Sequence, residues 1–268
     1  MTRPFRFGVV APIIPDVPTW RDRVHRIADS GYSTLLVPDF PLTQPAPGPV
    51  LATVAALTEL RVGTWVYASP FRPAWLTAWE GHSLSLLTDG RFEMGIGTGR
   101  PGIEDELRDK GVPDVPRPHE RLARIRETVE RLRDLDGPDR HTPVAMAVYG
   151  PKSRALAAEV ADTVTFVLGD QSRDEVARMA SDFRAVADVE LAMHVSVIGD
   201  YVAPHMAGPG IDIAALNAAD AMIVLPDDPA AAIEEIQRRR EEMGFSYFVY
   251  GADYAERFAP VVAALAGK

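Results

Sequence analysis

Short runs of apolar, β-prone residues alternate with longer segments of helical periodicity along the whole 268-residue chain. That alternation restricts the fold more than any single motif does. FRFGVVA (5–11) reads as a strand. TWRDRVHRIADSG (19–31) follows as a helix, with Trp20, Val24 and Ile27 on one stripe and Gly31 as its stop. The pattern recurs as STLLVPD (33–39) with GPVLATVAALTEL (48–60), VGTWVYA (62–68) with PAWLTAWEGHSLSLLTDG (73–90), and RFEMGIG (91–97) with RPHERLARIRETVERLRDL (117–135). PVAMAVY (143–149) precedes GPKSRALAAEVA (150–161), DTVTFVL (162–168) precedes SRDEVARMASDFRAVAD (172–188), and VELAMHVSVIG (189–199) precedes DPAAAIEEIQRRREEMG (228–244). SYFVYG (246–251) and YAERFAPVVAALAG (254–267) close the chain. AMIVLP (221–226) runs into the next helix without a turn of its own and reads as a connection.

Strict β/α alternation implies a parallel sheet with helices packed outside it. Eight such units suit a closed (β/α)8 TIM barrel forming one domain over residues 1–268, and a doubly wound sheet is the alternative. Hydrophobic residues make up 47% of the chain and charged residues 25%, enough to bury a full core. The formal net charge of −10 offers no global attraction to nucleic acid or an anionic bilayer. Cysteine is absent, which excludes disulfides, thiolate metal sites and a cysteine nucleophile. In MTRPFRFGVVAPII the apolar run breaks at Pro12, so a strand is expected rather than a signal peptide, and a cytoplasmic protein with it. No histidine pair has i, i+4 spacing with a carboxylate, so no metal site is expected.

GTGRPG (97–102) fits the pattern G-x-G-x-x-G, but a dinucleotide fingerprint closes the first strand of a βαβ unit, and this one follows the fourth. Glu120, the acidic residue nearest the required distance, falls inside a predicted helix. In a barrel the same loop lies at the C-terminal face, where glycines let backbone N–H groups approach a ligand.

Four stretches together resemble the luciferase-like monooxygenase superfamily, in particular its branch of oxidoreductases that use the deazaflavin coenzyme F-420. They are TWRDRVHRIADSGYSTLLVPDF (19–40), RVGTWVYASPFRPAWL (61–76), LLTDGRFEMGIGTGR (86–100) and ERLARIRETVERLRDL (120–135). GPKSRALAAEVADTVTF (150–166) and the 228–251 region support the likeness. The resemblance implies a luciferase-like barrel with shortened insertions, and a ring cofactor across its mouth backed by a non-prolyl cis peptide at Trp65–Val66. It places Asp39 near the ring's polar edge, Gly97, Thr98 and Gly99 under the cofactor side chain, and Tyr149, Gly150 and Pro151 at the phosphate. A phosphate there would also meet a helix N-terminus, Lys152 and the Ser153 hydroxyl.

The chain departs from the family pattern at Phe40, where many deazaflavin users carry His, at Arg100, where one relative carries a carboxylate, and at Tyr149, where a glycine is usual. The DGPDRHT link (136–142) is short where relatives often carry an excursion over the substrate. The candidates for the substrate side are therefore Tyr67 at the end of strand three, Arg100 beyond strand four, and His194 on strand seven. By period 2, Ala192, His194 and Ser196 face one way and Leu191, Met193 and Val195 the other. Each candidate has a plainer reading: Asp39 as a turn cap, Arg72 as a salt bridge within a barrel loop, Tyr67 as packing, His194 as a satisfied core histidine. Trp75 and Trp79, four apart, suit a core or a subunit interface; the resemblance implies a homodimer. Lys152 as a Schiff-base nucleophile is a rival reading, opposed by its position opening a helix after Gly-Pro.

The function implied is hydride transfer between a deazaflavin and a small organic substrate. An FMN-dependent monooxygenase of the same superfamily is the alternative, and a non-redox barrel that has lost its cofactor and acts as a binding protein is a third.

Overall fold

The computed structural model describes residues 3–12, 16–112, 114–203, 206 and 210–268. The ends of the MTRPFRFGVVAPII segment, residues 1–2 and 13–14, lie outside them. Eight parallel strands form the barrel: β1 Arg6–Val10, β2 Thr34–Val37, β3 Arg61–Thr64, β4 Phe92–Gly97, β5 Val144–Val148, β6 Thr163–Phe166, β7 Glu190–His194 and β8 Phe245–Gly251. The ring closes because β1 pairs with both β2 and β8 while β3 pairs directly with β4. The intervening helices are α1 Val17–Asp29, α2 Pro47–Leu57, α3 Ala74–Leu87, α4 Pro118–Asp136, α5 Pro151–Val160, α6 Arg173–Arg184, α7 Pro229–Met243 and α8 Ala255–Leu265. This is the closed (β/α)8 barrel that the alternation pointed to.

Period 2 in the strands separates two packing environments. Val9, Leu35, Ile96, Met146, Val164, Met193 and Phe248 belong to the large buried cluster between barrel and helices. Val10, Leu36, Ala192, Tyr247 and Val249 form a second buried cluster, on the barrel's inner wall. The N-terminal end of the barrel is sealed by ions. Arg6 donates to Glu190 (2.6 Å) and to Glu93 (3.1 Å), and the Tyr247 hydroxyl donates to Glu93 (2.8 Å). Gly8 makes room for that tyrosine, since a Cβ there would lie 2.7 Å from its hydroxyl oxygen.

The structure refines three expectations. The third strand stops at Thr64, and its predicted tail Tyr67–Ala68 pairs separately with Ile96 and Gly97 of β4. The seventh ends at His194, and Val197–Ile198 instead joins Tyr201–Val202 and Val224–Leu225 in a small second sheet. AMIVLP thus contains a strand but contributes none to the barrel. Two short helices, Ile103–Asp109 and Ile213–Ala218, had no clear periodic signature at six or seven residues.

Candidate active site

The loops after β2, β3, β4 and β5 share the C-terminal end of the barrel, where barrel enzymes build their sites. The Trp65–Val66 peptide is cis, at the bond the resemblance implied. Both residues are half-buried, whereas Tyr67 and Ala68 are buried. Asp39, 4% exposed, does not face solvent: its Oδ2 accepts from the Ala68 N–H (3.1 Å), and Arg72 donates to both oxygens (2.7 and 3.0 Å). Burial opposes the Arg72 charge, but the hydrogen bonds and charge of Asp39 outweigh it and hold the guanidinium above its ordinary pKa.

Tyr67 is fully buried in the outer core, and its hydroxyl donates to Glu80 of α3 (2.9 Å). The Arg72 guanidinium lies 4.5 Å from its ring centroid. Burial first, then the Glu80 carboxylate, push the phenol well above its ordinary pKa. Tyr67 therefore stays protonated and engaged.

On β4, Gly97 sits so close to the segment after β3 that a Cβ would meet Val66 Cγ2 at 3.0 Å. Thr98 and Gly99 are half-buried, Gly99 with φ +90°. Arg100 is exposed, pairs with Glu106 of the Ile103–Asp109 helix at 2.5 Å, and lies 5.0 Å from the Phe40 ring centroid. Two of the departures from the family pattern, Phe40 and Arg100, are thus in contact with each other. After β5, Tyr149 is 76% exposed. The Ser153 hydroxyl oxygen accepts from the Tyr149 and Gly150 N–H groups (3.1 and 3.2 Å), and its proton goes to the Gly150 carbonyl (2.9 Å). Pro151 and Lys152 are exposed, and the space around Gly150 is open, with nothing within 4 Å of where a Cβ would stand.

His194 lies on the inner wall, on the same side of its strand as Ala192. Its Nδ1 accepts from the Trp65 indole N–H (3.0 Å), so its Nε2–H donates to the Met206 carbonyl (2.7 Å). The imidazole and indole planes lie 7° apart with centroids at 6.4 Å. Burial lowers the His194 pKa and keeps the ring neutral. Ala203 and Met206 pack on the same cluster, so Trp65, His194 and Met206 close the barrel axis.

Asp39, Trp65, Val66 and the 97–100 turn therefore meet on the β3–β4 side of the mouth, with the 149–153 turn beyond them at the end of β5. Tyr67 turns outward, and His194 stands across the axis. Sequence reasoning passed over Glu80 and Glu93. Glu80 had a visible signal as the only carboxylate in an otherwise anion-free helix, AWLTAWEGHSLSLL. Glu93 had none, since one carboxylate in a β-strand pattern does not disclose its partners.

These features define a closed (β/α)8 barrel with the loops after β2, β3, β4 and β5 at one end. Residues 6–137 match the family model described as luciferase-like monooxygenase. No curated protein matches the chain. Among solved structures it is similar to a coenzyme F-420-dependent tetrahydromethanopterin reductase from Methanopyrus kandleri, at 17% identity and TM-score 0.72, covering 97% of each chain. An F-420-dependent secondary alcohol dehydrogenase bound to an F-420–acetone adduct matches at 18% and 0.72, covering 97% of this chain and 99% of that one. An EDTA monooxygenase from a Chelativorans species matches at 12% and 0.73, covering 98% and 94%. At these identities the likeness speaks for the fold.

Proposed function

We propose that the chain is an oxidoreductase that moves a hydride between a deazaflavin, coenzyme F-420, and a small organic substrate. The observation that carries this reading is the half-buried Trp65–Val66 backbone beside a β4 whose Gly97 brings its surface against Val66, with an open turn at Gly150 on the same end of the barrel. These residues fit a flat ring with a phosphate tail: a bare backbone wall, a glycine turn, and an uncrowded helix start carrying Lys152 and Ser153. The bound coenzyme supplies the hydride chemistry; the protein supplies binding and orientation. Arg100 adds a long cation at the rim, suited to a carboxylate or phosphate on a substrate. Tyr67 and His194, each held by other protein groups, keep the wall in place. Two of the solved structures similar to the chain are F-420-dependent by name, which supports the deazaflavin, and a riboflavin lyase solved with a modified FMN favours FMN as the second reading. The closed axis at Trp65, His194 and Met206 favours the third, a barrel that binds no redox cofactor.

Side-by-side fluorescence titration with coenzyme F-420 and FMN separates the three. Binding of F-420 is expected, FMN binding alone selects the second reading, and binding of neither by folded protein selects the third. Gly150→Asp adds a negative side chain in open space at φ −109°, where it fits without clash. It is expected to weaken cofactor binding by about tenfold, the scale of one charge-assisted contact. Unchanged affinity would show that the phosphate turn is misplaced.

We also propose that the protein pairs with a second copy of itself through α2 and α3. Trp75, Trp79, Leu86 and Leu87 are each more than half exposed on α3. The charged or titratable side chains of that helix are engaged by the chain itself, Glu80 by Tyr67 and His82 by Asp136 (2.8 Å), and α2 has none. In a chain of net charge −10, this uncharged face lets two like molecules approach without repulsion. Sedimentation is expected to show a dimer that Trp79→Glu converts to monomer; a monomeric wild type at high concentration refutes the pairing.

A further inference from the structure

Glu80 stands where α2, α3 and the tail of the third strand meet. One of its oxygens accepts the Tyr67 hydroxyl (2.9 Å), and the other lies 4.0 Å from Arg72 Nε. Gly48 in the first turn of α2 leaves room for it, because a Cβ there would stand 2.1 Å from Glu80 Oε1. Arg72 in turn grips Asp39 with both terminal nitrogens, and Asp39 accepts the Ala68 N–H. The two residues that follow Trp65–Val66 are thus fastened from two directions, Tyr67 through its side chain to α3 and Ala68 through its backbone to the loop after β2. Arg72 joins the two carboxylates, stacked on the Tyr67 ring between them.

We infer that Glu80 is a positioning residue that fixes the backbone of residues 65–68 for the ligand lying against it, an inference that rests on the function proposed above. A hydrogen bond to a charged acceptor in a partly buried setting is stronger and more directional than one in water. Trp65 is held on the preceding side, by its N–H to the Val37 carbonyl (2.9 Å) and by its indole to His194 (3.0 Å), so the ligand-facing peptide is fixed from both ends and Glu80 acts on the following one. Misplacement of a binding surface by a fraction of an ångström costs affinity without costing the fold.

The experiment compares wild type with Glu80→Leu, Glu80→Gln, Tyr67→Phe and Gly48→Ala by two readouts, amide hydrogen exchange of the peptide spanning 65–72 and titration with coenzyme F-420 and FMN. Glu80→Leu and Tyr67→Phe are expected to speed exchange in that peptide and to weaken cofactor binding by about tenfold, the worth of one hydrogen bond to a charged group. Glu80→Gln keeps an acceptor for Tyr67 and is expected to restore most of both. Gly48→Ala leaves Glu80 in the chain but displaces its carboxylate, the movable end of a side chain, so it is expected to reproduce the loss in a folded protein. Unchanged affinity in folded Glu80→Leu and Gly48→Ala overturns the inference, even if exchange rises, because the network is then structural only. If wild type binds neither cofactor, the functional reading fails instead, and unchanged exchange in all four variants still overturns the fastening itself.

Discussion

Asp39→Ala is expected to lower the free energy of unfolding by about 3–5 kcal/mol, the range for removing one member of a buried ion pair. The substitution strands two groups at once. Arg72, its side chain 16% exposed, keeps its charge with only the more distant Glu80 to face it, and the Ala68 N–H loses its acceptor. Asp39→Asn retains an acceptor for Ala68 and is expected to cost less. The double variant Asp39→Leu with Arg72→Met, which leaves no buried charge behind, is expected to recover much of the loss. Urea unfolding measures this through the midpoint, with the slope unchanged. A fall below about 1 kcal/mol for Asp39→Ala would mean that the pair is as weak as a solvent-exposed one.

Gly95→Ala is expected to be comparably damaging, by about 3 kcal/mol, at the upper end of overpacking costs. A Cβ at Gly95 would lie 1.9 Å from the Thr64 carbonyl oxygen and 2.9 Å from its carbonyl carbon. Both are backbone atoms of the neighbouring strand, and the Thr64 hydroxyl already donates to the Gly95 carbonyl (2.7 Å), so neither strand has slack. Separating them would open the barrel between β3 and β4 and shift the proposed ligand wall. Gly150→Ala is the matched control, at negative φ with open space around it, and is expected to be neutral. Equal melting temperatures for the two alanine variants would show that the contact between β3 and β4 is looser than the distances imply.

Much of the site's frame was legible in the chain, but the roles within it were not. The loops bearing Asp39, Trp65, Gly97 and Gly150 were placed correctly at one end of the barrel, because each follows a strand in a strictly alternating pattern. Period 2 grouped His194 with Ala192 and Ser196 on one side of its strand, and the structure makes that side the inner wall. Its hydrogen bonds did not follow from that pattern, since Trp65 lies 129 positions away and Met206 comes from the excursion after β7. Arg72 reads in the sequence as a loop salt bridge, and its partner is Asp39, 33 positions earlier. Tyr67 read as a residue of the barrel mouth because it ends a strand pattern. The structure separates Tyr67–Ala68 from β3, and the phenol turns outward to Glu80.

The amino-acid sequence alone determined the number, type and order of the barrel elements, because the spacing of apolar side chains fixes whether a segment buries itself as strand or helix, and that spacing is local. Only the tertiary structure decided which polar group answers which. Asp39 with Arg72, Tyr67 with Glu80 and Trp65 with His194 are chosen by closure of the barrel, which brings remote segments within hydrogen-bonding distance and leaves each buried donor or acceptor to the partner that geometry supplies.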